Sequence, residues 1–227
     1  MLFRSGSGGR YLVGQVTAMR SEIFNTSLSA EGRAVLLYHA EKMNGESANA
    51  LLKVMEEPPE GVLFLLTAQS LAGVLPTIRS RCVSFALAPA PVPQCAAFCA
   101  ARGVPQKDAA RLSELFEGRI GAVLAAARDA ARRRQLDAAA DLAKAAAARD
   151  AYAASALLAG YEKDKAAAAV LLRDLCAYAA AGLRGSKVSP LQGEAAARVI
   201  PLATEALWQL ERQVNTKIVL QVLGASL

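Results

Sequence analysis

NGESANALLKVMEEPPEGVLFLLTA, residues 44–68, is the stretch on which the fold turns. Asn44 is a good helix N-cap, and Ala48, Leu51, Leu52 and Met55 recur at the spacing of one helix face. Pro58 and Pro59 stop that helix, because proline has no N–H to donate and clashes with the preceding turn. GVLFLLTA, residues 61–68, then reads as a strand whose continuous apolar run predicts burial. Working outward, VGQVTAMRSEIF at 13–24 reads as a helix and AVLLYH at 34–39 as a second buried strand. CVSFAL at 82–87 reads as a third, shorter strand. Strands that alternate with helices predict a parallel α/β sheet.

The pattern changes near residue 88. APAPVP at 88–93 reads as a stiff linker, and almost everything after it reads as helix. Leu171, Leu175, Tyr178 and Gly182 follow one helical stripe, and Ala203, Leu207, Leu210 and Val214 another. Breaks are predicted at GRIGAVL, 118–124, and at RGSKVSPLQG, 184–193. The predicted chain is mostly α-helical. Its plan is a partial α/β core over 1–87, a small helical domain over 88–134 and a larger helical domain over 135–227.

Composition narrows the function classes. Among 227 residues, 54% are hydrophobic and 20% charged, which argues against disorder. Much of the apolar share is alanine, which favours helix but buries little area per residue. The net charge of +6 is spread evenly along the chain, too evenly for a dedicated nucleic-acid face. The only basic cluster, Arg132, Arg133 and Arg134, reads as a solvated linker or helix face. Cys95 and Cys99 lack the spacing of a zinc knuckle, and the lone His39 cannot complete one, so no metal site is expected. Apolar runs such as VLFLL at 62–66 are too short to span a bilayer. MLFRSGSGG reads as a leader rather than a phosphate loop, since no Gly-Lys-Ser/Thr follows it. A soluble, cytoplasmic protein without membrane contact is expected.

LPTIRSRC, residues 75–82, raises a different question. Arg79 and Arg81 lie just past a proline and lead into an apolar segment that has no local use for two guanidinium groups. Arg81 reads either as an edge ion pair or as a group aimed at another molecule. Glu56 and Glu57 are not an acid–base pair. Adjacent side chains on a helix diverge by about 100°, and the helix dipole disfavours carboxylates at that end. They read as partners for basic groups across a subunit boundary, or as a helix stop.

Residues 40–85 resemble the second half of the AAA+ module of bacterial clamp-loader subunits, in particular the delta-prime type of DNA polymerase III. ANALLKVMEEPP followed by LPTIRSRC carries the resemblance, and the tail ALWQLERQVNTKIVLQVLGASL resembles the last helices of the family's collar domain. The resemblance implies that Arg81 is an arginine finger, reaching the ATP and Mg²⁺ bound by a neighbouring subunit. A planar, permanently charged guanidinium suits the charge spread over a transferring phosphoryl group. It leaves Arg79 as a second phosphate contact or an interface ion pair.

The same resemblance predicts that this chain does not hydrolyse ATP itself. No GxxxxGK[ST] loop occurs in it, and Tyr38 and His39 stand where ATPase-competent relatives carry an acidic pair. Glu41 reads as an ordinary solvated charge. A nucleotide-sensing arginine would fall at Gly121, with Arg119 out of phase. The implied role is a stator within a DNA-directed DNA polymerase holoenzyme, a nucleotidyltransferase that acts in DNA replication. The implied partners are tau/gamma and delta subunits in a hetero-oligomeric ring, with the sliding clamp and primed DNA binding through the complex. Relatives carry a phosphate-loop segment before the matching region, so the α/β portion reads as N-terminally truncated. Two other readings stay open: a truncated tau/gamma-like ATPase, and a helical structural adaptor.

Overall fold

The computed structural model describes residues 2–3, 11, 13–25 and 32–227. They divide into two compact units that meet in sequence between Leu87 and Ala88.

The first unit holds strands β1 (Leu2–Phe3), β2 (Arg33–Leu37) and β3 (Val62–Leu66), and helices α1 (Val13–Asn25), α2 (Gly45–Glu56) and α3 (Pro76–Arg79). The strands are parallel in the order β1-β2-β3, with Arg33 opposite Val62 and Leu37 opposite Leu66. The parallel sheet is therefore as the sequence predicts. Asn44 caps α2 by accepting a hydrogen bond from the Ser47 N–H at 2.8 Å. The buried face of α2 is Ser47, Ala48, Leu51 and Val54, while Leu52 and Met55 lie at its margin. That face packs with Val16, Met19 and Ile23 of α1, Val35 and Leu37 of β2, and Ile78 of α3.

Three expectations for this unit need correction. Leu2–Phe3, within the stretch read as a leader, form a short strand beside Leu36 and Leu37 of β2. β3 is not buried on both faces: Leu63 and Leu65 are exposed, whereas Val62, Phe64 and Leu66 pack on the core. As the edge strand, it has one side covered by helices and the other open. The third correction concerns 82–87. Residues 83–90 carry no regular secondary structure, and Val83 and Phe85 are each 83% exposed and Leu87 93%. Strand propensity becomes a strand only beside a partner ladder, and no described strand runs alongside this segment.

The second unit is all helical: α4 (Val92–Ala101), α5 (Gln106–Leu115), α6 (Ile120–Arg128), α7 (Ala130–Ala148), α8 (Ala151–Ala159), α9 (Lys165–Leu183), α10 (Gly193–Glu211) and α11 (Thr216–Ser226). The 19-residue helices α7, α9 and α10 pack on one another, α11 packs on α8, and α4, α5 and α6 form a smaller group. Alanines 139, 143, 146, 168, 179, 196 and 203 are fully buried, so small side chains let these backbones approach closely. The predicted break near 118 is a glycine turn. Gly118 has φ +75° and donates to Ser113 O at 2.9 Å, closing α5 in the manner of a left-handed C-cap. Gly182, inside α9, lies against the Leu191 carbonyl, and an added Cβ there would come within 1.9 Å of that oxygen.

The α9 stripe of Leu171, Leu175, Tyr178 and Gly182 is buried as its periodicity predicts. The α10 stripe holds at Ala203 and Leu210 but ends there, since Val214 lies beyond the helix and is exposed. α9 is long and apolar enough, by length and composition, to cross a bilayer, contrary to the reading that no run was. Half of it is instead buried within this unit.

Candidate functional site

The candidate site is built by α2, α3 and the turn that follows. Pro76 starts α3 with its φ already suited to a helix, and buried Ile78 pins that single turn to the core. The Arg81 N–H donates to Ile78 O at 3.1 Å, which holds residue 81 one turn beyond the anchor. Its guanidinium then folds back, donating to Thr77 O at 3.1 Å and to Ser80 Oγ at 3.3 Å. It also pairs with the Glu56 carboxylate at the end of α2.

The edge ion pair that the sequence left open is thus present, and it is made within the chain. The pair is nonetheless a surface one, with side chains 38% and 46% exposed. At that exposure an ion pair contributes roughly 0–1 kcal/mol, too little to fix the guanidinium in place. Arg79 is exposed and makes no side-chain hydrogen bond or ion pair among the described residues. Glu57, the α2 C-cap, is likewise exposed.

The C-terminal ends of β2 and β3 form a second corner. His39 follows β2 in a left-handed conformation, φ 60° and ψ 55°, which is uncommon for a residue with a side chain. Thr67 fixes it from β3: Ala40 N–H donates to Thr67 O at 2.8 Å, and His39 N–H donates to Thr67 Oγ1 at 3.3 Å. Tyr11 Oη donates to Tyr38 O, anchoring the same turn. His39 Nδ1 lies 3.0 Å from Glu41 Oε1.

Glu41 is not the solvated charge the sequence suggested. Its side chain is only 16% exposed, and Oε2 is buried without a partner among the described residues. Burial alone would raise its pKa, but hydrogen bonds from its own N–H, His39 and Gln69 outweigh that and hold the carboxyl below its ordinary range. This corner offers a single carboxylate beside an imidazole, a poor set for Mg²⁺, which prefers several hard oxygen ligands. No group of three metal-ligating side chains occurs among the described residues.

In the helical unit, Gly121 has open space around its Cα, and Arg119 pairs with Glu117 at 3.7 Å. The basic cluster needs correction. Arg132 is not solvated: it makes a two-point pair with Asp174 of α9, Nη2 to Oδ1 at 2.6 Å, where Asp174 is 3% exposed. That carboxylate raises the Arg132 pKa against the opposing effect of burial. Arg133 faces Asp108 at 3.6 Å, and Arg134 is exposed. Two features escaped the sequence reading, the Asp174 pair and the use of Glu56 as a local partner for Arg81. Both had a signal: an acid inside an apolar helical stripe, and an acid at the helix end its dipole disfavours.

Residues 3–91 match the family model described as DNA polymerase III, delta subunit. Among curated proteins, the chain is 39% identical over 118 residues to DNA polymerase III subunit delta′ of Pseudomonas aeruginosa, covering 51% of this chain and 35% of that one. It is 32% identical over 75 residues to subunit delta′ of Bacillus subtilis, covering 33% and 23%. It is 31% identical over 81 residues to subunit gamma of Buchnera aphidicola, covering 36% and 22%. The chain thus spans about a third or less of the length of these relatives. Among solved structures, a DNA polymerase III gamma subunit-related protein from Thermotoga maritima matches with a TM-score of 0.58 over 99% of this chain and 81% of that one. At 17% identity, that likeness concerns the fold. Over these residues the chain is similar to the delta′ and gamma subunits of DNA polymerase III.

Proposed function

We propose that the chain acts as a non-hydrolysing stator of a clamp loader, lending Arg81 to the ATP site of a neighbouring subunit during sliding-clamp loading in DNA replication. The observation that carries this reading is the placement of Arg81. It is permanently charged, lies one turn past a core-anchored helix, and is held at the surface by an ion pair and two hydrogen bonds that are all exposed to water. The chain's own residues support the non-hydrolysing half. Tyr38 and His39 directly follow β2, where a Mg²⁺-binding acidic pair would be needed. ATP and Mg²⁺ then belong to the neighbour, and the cytoplasm is the setting of such a complex.

The helical unit supplies the seat. Ile218 and Val222 of α11 and Tyr152 of α8 are exposed apolar side chains on two helices packed together, a surface suited to another subunit of tau/gamma or delta type. In the ring so formed, the clamp and primed DNA are contacted through the complex. Arg79 is a second cation on the same exposed turn.

The test is Arg81→Ala in a loader reconstituted with tau/gamma and delta subunits, clamp and primed DNA. Clamp-stimulated ATP turnover is expected to fall by about 10³–10⁵-fold, the worth of an arginine finger. Turnover equal to the unsubstituted loader would overturn the proposal. So would ATP hydrolysis by the isolated chain that a substitution within it abolishes.

A further inference from the structure

From the Arg81–Glu56 contact we infer that Glu56 is a positioning residue, an internal competitor that holds the guanidinium retracted until a phosphate displaces the carboxylate; this rests on the function proposed above. Three observations converge on it. First, Glu56 is the last residue of α2, where the carbonyl end of the helix disfavours a carboxylate, so the position calls for a compensating cation. Second, Arg81 supplies that cation, and it also binds Thr77 O and Ser80 Oγ, so the side chain lies back along its own turn. Third, the acid is poorly able to follow the guanidinium outward. It sits at the end of a helix anchored by Leu51 and Val54, and Pro58 and Pro59 stiffen the chain just beyond.

A phosphate takes a two-point contact from both terminal nitrogens of the guanidinium, and here Nη2 is on Glu56 while Nη1 is on Thr77 O and Ser80 Oγ. Engagement of a phosphate therefore requires release of Glu56, and the ion pair is subtracted from the binding of nucleotide at the seam. Because both side chains are partly exposed, the contact biases the exchange without blocking it. No bond is made or broken, and one anion replaces another on the same cation. The role suits a subunit whose charged group must stay paired until the ring is assembled and nucleotide is bound.

The experiment measures ATP turnover against ATP concentration in the full reconstituted loader, with Glu56→Gln, Glu56→Asp, Glu57→Gln, Arg81→Ala and the double variant Glu56→Gln/Arg81→Ala. Glu56→Gln is expected to lower half-saturating ATP about two- to five-fold at unchanged maximal rate, the span open to a surface ion pair. That gain should shrink in high salt, which screens the pair in the unsubstituted protein. Glu56→Asp keeps the carboxylate and should stay within about two-fold of the unsubstituted loader, as should Glu57→Gln. The double variant should behave as Arg81→Ala alone. Melting of each free chain identifies any variant that fails to fold, and Glu56→Asp then carries the comparison at an intact charge.

Unchanged half-saturation in Glu56→Gln, with Arg81→Ala still inactive, overturns the competitor role and leaves the arginine finger standing. A loss of maximal rate in Glu56→Gln overturns it as well, since the carboxylate would then be needed in the engaged state. Indifference to Arg81→Ala removes the finger, and this inference falls with it.

Discussion

The two units of the chain solve the burial problem to different degrees. In residues 88–227, three long helices and their neighbours enclose one continuous apolar cluster, and even the acid within it, Asp174, has a two-point partner. In residues 1–87, one face of a three-stranded sheet is covered by helices, while Leu63 and Leu65 on the other face and Val83, Phe85 and Leu87 after α3 meet water. A helix satisfies its own backbone and needs only a stripe of neighbours, whereas an edge strand leaves a row of donors and acceptors along its side. The helical unit is thus closed, and the α/β unit, which carries Arg81, is open.

The largest effect should come from attacking the closed unit at its one buried acid. Asp174→Ala leaves Arg132 partly buried without its counter-charge and is expected to cost about 3–5 kcal/mol. The cost should appear in the melting of the helical unit, with little change in probes of residues 1–87. A loss below about 1 kcal/mol would show that the helical core does not depend on this pair.

A smaller effect separates the units by pH. Glu41, beside His39 in the α/β unit, has its pKa held below the ordinary 4.5. A carboxyl lowered in the folded state contributes stability that is present above its unfolded pKa and lost as pH falls through the folded one. Acid should therefore weaken the α/β unit first from about pH 4.5 downward, and Glu41→Gln should flatten that limb in hydrogen-exchange or fluorescence titrations. An identical acid limb in the variant would assign the sensitivity elsewhere.

The smallest stability change is expected at the open surface itself. Val83→Ser, Phe85→Ser and Leu87→Ser should each alter stability by no more than about 0.5 kcal/mol, because none of these side chains is buried. Together they should reduce self-association in sedimentation or size-exclusion measurements, since exposed apolar segments invite it. A large stability loss would mean that these side chains pack after all.

Much of this was legible in the residues. The Asn44 cap, the double proline after Glu57, the parallel order of the strands and the stripe along α9 all follow from local rules that act within a few turns. The misreadings share a different cause. CVSFAL has every local attribute of a strand, and VLFLL every attribute of a doubly buried one, but both outcomes depend on a neighbour that local sequence cannot supply. Arg132 likewise reads as one of three solvated arginines until a carboxylate 42 residues away comes within hydrogen-bond reach. At the candidate site, the motif marked Arg81 but not its retracted geometry, because the Glu56 contact depends on how α2 and α3 pack.

The shortness of α3 has a consequence for how this region can vary. With only the four residues Pro76 to Arg79 in the helix, the direction of residue 81 is set by little more than a single turn. Lengthening that turn by one residue would swing the side chain by about 100° around the helix axis, away from both Glu56 and any anion approaching from the same side. The segment from 75 to 82 should therefore accept many replacements at its exposed positions yet resist a change in length. A library of insertions and deletions through it would read out that asymmetry directly.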